Sequence, residues 1–421
     1  MCRFRVSGLL LVAMTACGRP PAPLDDAARQ YLRLAVALGE RDPDALDFYV
    51  GPQDAVADLR HSPPALDAIR RDARGLAAQL SSQRFATADA ARIGTLTADL
   101  RAIEARVDLL TGVTRSYDDE SRAFFGIAPG PDDPSALDAI RARIADLVGG
   151  RGRLVDRYAA FAARFVVPPD RLPAVMQAAL DECRRRTVSQ MALPPGEQAA
   201  LTFVRDTPWS AFSRYLGDAR SAIQINTDFR FTADQVLQLA CHEGYPGHHT
   251  RNTLLAPRRD ESGRPERAVQ LMFSPEALES EAAAMLAADV AFSPDERIRV
   301  VRDRLLPLAG LDPAGAERHV AVERLVGDLQ VVQADVARRY LDGELEFARA
   351  VAALEEQALV PHADASVKYI NQYRSYVTTY TAGRQALAAR LAACAGRTPA
   401  DEIRWRCFKS ETPLRRVETM P

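Results

Sequence analysis

Charge of one sign is missing from this chain: 54 basic residues face 56 acidic ones, for a formal net charge of −2. No strong field is present to recruit a polyanion, so nucleic acid is excluded as an expected partner. Aromatic residues are scarce at 7%, and alanine, leucine and arginine abound, which favours helices over sheets. No Gly-x-Ser-x-Gly elbow occurs, so a nucleophilic serine of that kind is unsupported. Repeats, low-complexity tracts and long linkers are also missing. The glycine cluster 149–152 lacks the lysine and the preceding strand of a phosphate loop and reads as a turn. What remains is a 421-residue chain, 47% apolar and 26% charged, long enough for one large or two ordinary domains.

The first residues read as a processing segment. Arg3 and Arg5 precede a short apolar run, 6–14, too short to span a bilayer as a mature helix. Met14-Thr15-Ala16-Cys17 then resembles a bacterial lipoprotein signal, in which cleavage leaves a lipidated cysteine, here Cys17. Gly18 rather than aspartate after it implies sorting to the outer membrane, facing the periplasm. A plain secretory signal cut near Ala16 is the alternative. Either way the chain is expected outside the cytoplasm, where disulfides persist. Cys394 and Cys407 bracket a short segment, and a bridge closing such a loop contributes roughly 3 kcal/mol. Cys183 and Cys241 are not paired by the sequence and read as two small buried thiols.

The rest predicts a mainly α-helical (α+β) fold. Ile93, Leu96, Leu100, Ile103, Val107 and Leu110 recur at steps of three and four residues, the period of an amphipathic helix. Segments 31–38, 137–148 and 172–183 share it. Around 201–204 and 222–227 the pattern turns β-like, with turn signals at 207–209 and 217–218, which predicts a small antiparallel sheet inside a helical body. The expected organisation is a signal at 1–17, a linker at 18–26, a helical half at 27–190 and a metal-site half at 191–421, joined as one integrated unit.

Three of the six histidines fall close together, His242, His248 and His249, within Cys-His-Glu-Gly-Tyr-Pro-Gly-His-His. Thr232 and Gln235 form a capping-box pattern that starts a helix, and Val236, Leu237, Leu239 and Ala240 make it apolar on most faces. A buried His-Glu pair at its end is costly unless something satisfies it, and a metal would. In an unbroken helix His248 sits about 240° around the axis from His242, and His249 about 10 Å along it, so no ion could be shared. Pro246 and Gly247 break the helix and allow the next histidine to swing back.

His242-Glu243-x-x-Pro246-Gly247-His248-His249 resembles the signature of the bacterial domain-of-unknown-function 885 family, related to the gluzincin metallopeptidases. The resemblance takes in 221–228 and, more loosely, roughly 90–390. It implies a fold similar to thimet-oligopeptidase-like and carboxypeptidase-like enzymes, with a large helical body and a sheet next to the metal-site helix. It also implies Zn2+ on His242 and His248, Glu243 as general base, and a glutamate from a following helix as third ligand. Ser274 and Pro275 start such a helix. On it Glu281 shares the apolar stripe with Leu278 and Met285, while Glu279 is its rival and Glu276 points elsewhere.

Two imidazoles and a carboxylate leave a fourth position for water, the arrangement of a hydrolytic site. The strand 222–227 is a candidate to pair with an extended peptide. The segment 373–384 crowds phenols and guanidiniums onto one expected helix. Tyr376 and Tyr380 are candidates to support an oxyanion, and Arg374 and Arg384 to bind a substrate carboxylate. His249 is a candidate for substrate contact or for orienting a ligand. The expected function is therefore a zinc-dependent peptidase of the bacterial envelope, anchored to the membrane by lipid and acting on peptides or oligopeptides. The alternatives are a structural-zinc lipoprotein that binds a partner, and a zinc hydrolase of another amide or ester.

Overall fold

The computed structural model describes residues 23–82, 89–256, 264–396 and 400–414. The expected signal, Cys17 and the outer part of the linker lie outside the described residues. The chain is already helical from Pro23, in the helix Pro23–Gly39, so the linker ends earlier than expected.

Helices dominate, as composition predicts. The period noted at 93–110 becomes the helix Ala90–Leu110, which buries Leu100, Ile103 and Val107 completely. Each such side chain contributes about 1.5–3 kcal/mol relative to exposure. With Pro23–Gly39 and Leu66–Ser82 it forms an N-terminal core that also receives Val269 and Leu271 from far along the chain. A second, larger core runs from Ile144 to Leu414 and joins Leu180, Ile223, Val236 and Ala282. The hydrophobic interior thus spans both expected halves.

Five strands are present among the described residues: β1 (Leu46–Tyr49), β2 (Gln198–Val204), β3 (Ala211–Gly217), β4 (Arg220–Asn226) and β5 (Val269–Leu271). β2, β4 and β3 form one sheet in that order. β2 runs parallel to β4 and β3 antiparallel to it, so the sheet is mixed rather than antiparallel. The segment 205–210, read as a simple turn, carries the chain across the sheet and lets β3 take the edge. β1 and β5 pair antiparallel, with a register shift between Leu46 and Phe48.

Cys394 and Cys407 are bridged as expected. Cys183 and Cys241 are bridged too, with a Cα–Cα distance of 5.6 Å, which corrects the reading of two free thiols. The bond ties the helix Leu172–Val188 to the motif segment one residue before His242. The partners lie 58 residues apart, so only the fold reveals the pair.

Candidate metal centre

The capping box forms as the sequence predicts: the Thr232 hydroxyl accepts from the Gln235 backbone N–H, and the Gln235 side chain accepts from the Thr232 N–H. From Ala233–Leu239 the helix widens into one π-turn, Ala240–Gly244. A π-bulge of this kind rotates the following side chains off the α-helical period. Tyr245 and a cis Pro246 follow, and Gly247 folds back so tightly that its N–H donates to the Cys241 carbonyl at 3.0 Å. A Cβ at 247 would stand 1.8 Å from the His242 carbonyl oxygen, so only glycine fits. The next helix, His248–Leu255, then starts beside the first. His248 Nε2 comes to 3.2 Å from His242 Nε2.

The third group arrives from the helix Pro275–Met285, capped by the Ser274 hydroxyl. Glu281 Oε2 lies 3.4 Å from His242 Nε2, and Oε1 lies 3.4 Å from His248 Nε2. Four ligands about 2.0–2.1 Å from a zinc ion are separated by tetrahedron edges of about 3.3 Å. The His242–His248 separation matches such an edge, while Glu281 turns a different oxygen to each imidazole; with one donor atom taken per residue, the three lie within 4.8 Å of one another. Glu281 Oε2 is buried with no hydrogen-bond partner, an orphaned acceptor a cation would satisfy. His242, His248 and Glu281 therefore form a group that could bind a metal. Glu276 instead receives Arg251 at 2.8 Å, and Glu279 is not in the group.

The surrounding residues orient this set. Ser280 Oγ lies 3.2 Å from His248 Nδ1, and the Tyr376 hydroxyl donates to Glu281 Oε1 at 2.9 Å. Burial disfavours charge on His248, but Glu281 and Glu243 outweigh it and raise its pKa to about 9. Burial likewise works against charge on Glu281, yet His248 and His242 hold it well below the usual carboxylate range. Glu243 is 4% exposed, and burial, opposed by His242 and His248, raises its pKa. The backbone N–H of Ser213 on β3 bonds to it.

A cavity of about 370 Å³ opens on His242, His248, Glu281 and Glu243. Tyr376 and Tyr380 line it as the sequence suggests, joined by Tyr369, whose hydroxyl lies 3.1 Å from that of Tyr380. The other expected site residues are placed elsewhere. His249 is fully buried, with Nδ1 2.8 Å from Ser221 Oγ and Nε2 3.0 Å from Glu197, and it does not line the cavity. Arg374 donates to Glu120 at 2.7 Å and Arg384 to Asp328 at 3.2 Å, so neither guanidinium enters the cavity. The cause is a broken helix: Asp364–Tyr373 ends at Arg374, which has φ 52°, and a π-turn, Thr379–Gly383, follows. The strand 222–227 cannot pair with a peptide either. Residues 222–226 belong to β4, whose two edges are taken by β2 and β3, residue 227 lies in the turn beyond it, and the edge facing Glu243 belongs to β3. Sequence reasoning missed Ser213, Glu197, Tyr369 and the cavity acids Asp44 and Asp47, none of which sits in a recognisable motif.

No family model matches the chain, and no curated protein matches it. Among solved structures, a candidate lipoprotein from Colwellia psychrerythraea aligns at 14% identity and a TM-score of 0.45, covering 87% of this chain and 70% of that one. A candidate lipoprotein of unknown function from Shewanella oneidensis aligns at 11% identity and a TM-score of 0.41, covering 86% and 75%. Metallocarboxypeptidase 1 of Trypanosoma cruzi aligns at 12% identity and a TM-score of 0.45, covering 94% and 90%.

Proposed function

We propose that the chain is a zinc-dependent peptide hydrolase of the gluzincin kind, allied to the domain-of-unknown-function 885 family, working outside the cytoplasm. The observation that carries this reading is the convergence of His242, His248 and Glu281, with donor atoms within 4.8 Å of one another, beside a buried carboxylate, Glu243, that is not one of the three. A purely structural metal site has no use for that carboxylate. The His/His/carboxylate set favours zinc among divalent ions. When bound there, zinc supplies Lewis acidity toward a water and a carbonyl oxygen.

The chain's own residues do the rest. Glu243, held by the Ser213 N–H, takes a proton from the attacking water and passes it to the leaving amine. Its raised pKa brings its basicity closer to neutral pH, as that task requires. Tyr380, backed by the Tyr369 hydroxyl, donates to the developing oxyanion. Tyr376 is engaged with Glu281 and acts on the ligand, not on the substrate. The outer edge of β3, with which no strand pairs among the described residues and where the Ser213 N–H holds Glu243, is offered to an extended peptide. Two disulfides fit an oxidising compartment, and the lipid anchor on Cys17 belongs to the same proposal. No helix among the described residues is long and apolar enough to cross a membrane.

The test is a peptide library incubated with zinc-loaded protein beside its Glu243→Gln variant, with products read by mass spectrometry. New termini with the wild type and none with the variant are expected. Equal cleavage by both, or none by either, would overturn the reading.

A further inference from the structure

Two acids that line the cavity, Asp44 and Asp47, have no part in the proposed hydrolysis. β1 and β5 slip in register between Leu46, which faces Leu271, and Phe48, which faces Gln270. Asp47 is the extra residue, and a bulge of this kind re-aims a side chain out of the ladder. Here Asp47 lines the cavity, within electrostatic reach of Glu243, His248 and Glu281. Asp44, just before β1, lines it as well.

Among the described residues neither carboxylate sits in an ion pair, although His248 and Arg251 act on Asp47 from a distance. Asp47 Oδ2 accepts from the neutral Gln270 amide at 2.7 Å. Gln270 is held in turn by Arg251 at 2.6 Å, and that guanidinium is also bonded to Glu276 and Asn252. Asp44 accepts from the Gln372 amide at 3.1 Å and bonds the Tyr373 hydroxyl. The nearby Arg106 is paired with Asp42 at 2.6 Å. Among the described residues no lysine, arginine or histidine forms an ion pair with Asp44 or Asp47.

The cavity's charges point the same way. Four carboxylates line it, Asp44, Asp47, Glu243 and Glu281, against one guanidinium, that of the exposed Arg214. A bound dication balances Glu243 and Glu281. That leaves Asp44 and Asp47, with Arg214 the one guanidinium on the lining and Arg251 acting on Asp47 from behind Gln270. The phenol rings of Tyr369 and Tyr373, 4.5 Å apart, line the same cavity and present faces that attract cations.

We propose that Asp44 and Asp47, with Tyr369 and Tyr373 beside them, form a subsite for a cationic group of the substrate, an ammonium or guanidinium carried close to the scissile bond. This rests on the peptide-hydrolase reading and narrows it to peptides bearing a positive charge near the cleavage point. The charge has two sources, the free α-amine of a short peptide or a lysine or arginine side chain, and both offer the same chemistry to the two acids.

The experiment uses zinc-loaded Glu243→Gln protein, which holds peptides without turning them over. Binding is measured for matched pentapeptides carrying lysine, leucine or glutamate at each position, each with a free or an acetylated N-terminus. The same peptides are given to the wild type to follow cleavage. Cationic peptides are expected to bind at least tenfold more tightly than neutral ones, with glutamate peptides weakest. Adding Asp44→Asn and Asp47→Asn is expected to reduce that preference to about twofold or less. Loss of preference on acetylation assigns the charge to the α-amine, and loss on replacing lysine by leucine assigns it to the side chain. If the double variant fails to fold, Asp44→Asn alone is expected to halve the preference or more. Equal binding of neutral and cationic peptides, or a preference that survives both asparagines, overturns the proposal. A preference that depends on the two acids, with no cleavage by the wild type, leaves the subsite standing and removes the hydrolase reading instead.

Discussion

Replacing Tyr376 by phenylalanine is expected to weaken metal binding while leaving the fold in place. The hydroxyl donates to Glu281 Oε1 at 2.9 Å, and the side chain is 1% exposed. Its ring packs edge-on to Phe125 and Phe273, at centroid distances of 6.0 and 5.7 Å, and phenylalanine keeps both contacts. What is lost is one hydrogen bond to a charged acceptor, worth about 1.5–3 kcal/mol. At about 1.4 kcal/mol per factor of ten, zinc affinity should fall about 10–100-fold, the range found when groups supporting a metal ligand are removed. The assay is competition for zinc against a chelator of known affinity at fixed pH. Tyr380→Phe is the control, because its hydroxyl meets Tyr369 and none of the three ligands. It should leave zinc affinity within about twofold and lower kcat by about a hundredfold or more. Unchanged zinc affinity in Tyr376→Phe, or equal weakening in both variants, would refute the division of labour between the two phenols.

Removing the Cys183–Cys241 bridge with two serines frees a loop of 58 residues and should cost about 4 kcal/mol in the chain-entropy model, read as a lower urea midpoint of the metal-free protein. An unchanged midpoint would mean that the bridge does not form. Burial, then Asp234, pushes Glu323 up to about 8 against hydrogen bonds from Tyr158 and Gln235, while the unfolded chain titrates near 4.5. The folded state thus holds a proton the unfolded chain has released, so this contribution is full below about 4.5 and is lost as pH rises through about 8. Glu323→Gln removes the ionisation, and its stability should fall less than that of the wild type between pH 6 and pH 9. Parallel falls in urea unfolding would contradict this.

Short-range signals carried much of the account. The capping box at Thr232, the Ser274-Pro275 helix start and the period through Ile103 are local, and each formed where its chemistry places it. The group His242, His248 and Glu281, which could bind a metal, is reached through the resemblance of the motif and the apolar stripe of Glu281; Pro246 and Gly247 announce only the break, and Gly247 proves to be the one residue that fits against His242. Features set by long-range packing were not. The Cys183–Cys241 pair, the Glu197–His249 bond and the crossover that puts β3 at the sheet edge join segments whose proximity no local pattern encodes. Arg374 and Arg384 were assigned to the site on helical geometry, but a residue with positive φ and a π-turn lie in that stretch. Asp47 falls in the half read as helical, and neither the strand β1 nor the bulge that aims the side chain at the cavity has a local signal.

The central claim, that His242, His248 and Glu281 jointly hold one catalytic ion, is tested most directly by metal stoichiometry. Protein lacking residues 1–17 should be purified without chelator, dialysed against micromolar zinc and then metal-free buffer, and analysed by mass spectrometry for bound metal. The account predicts one zinc per chain in the wild type and in Glu243→Gln, and far less in His248→Ala and Glu281→Gln. No zinc in the wild type, or the same content in all four proteins, would contradict it.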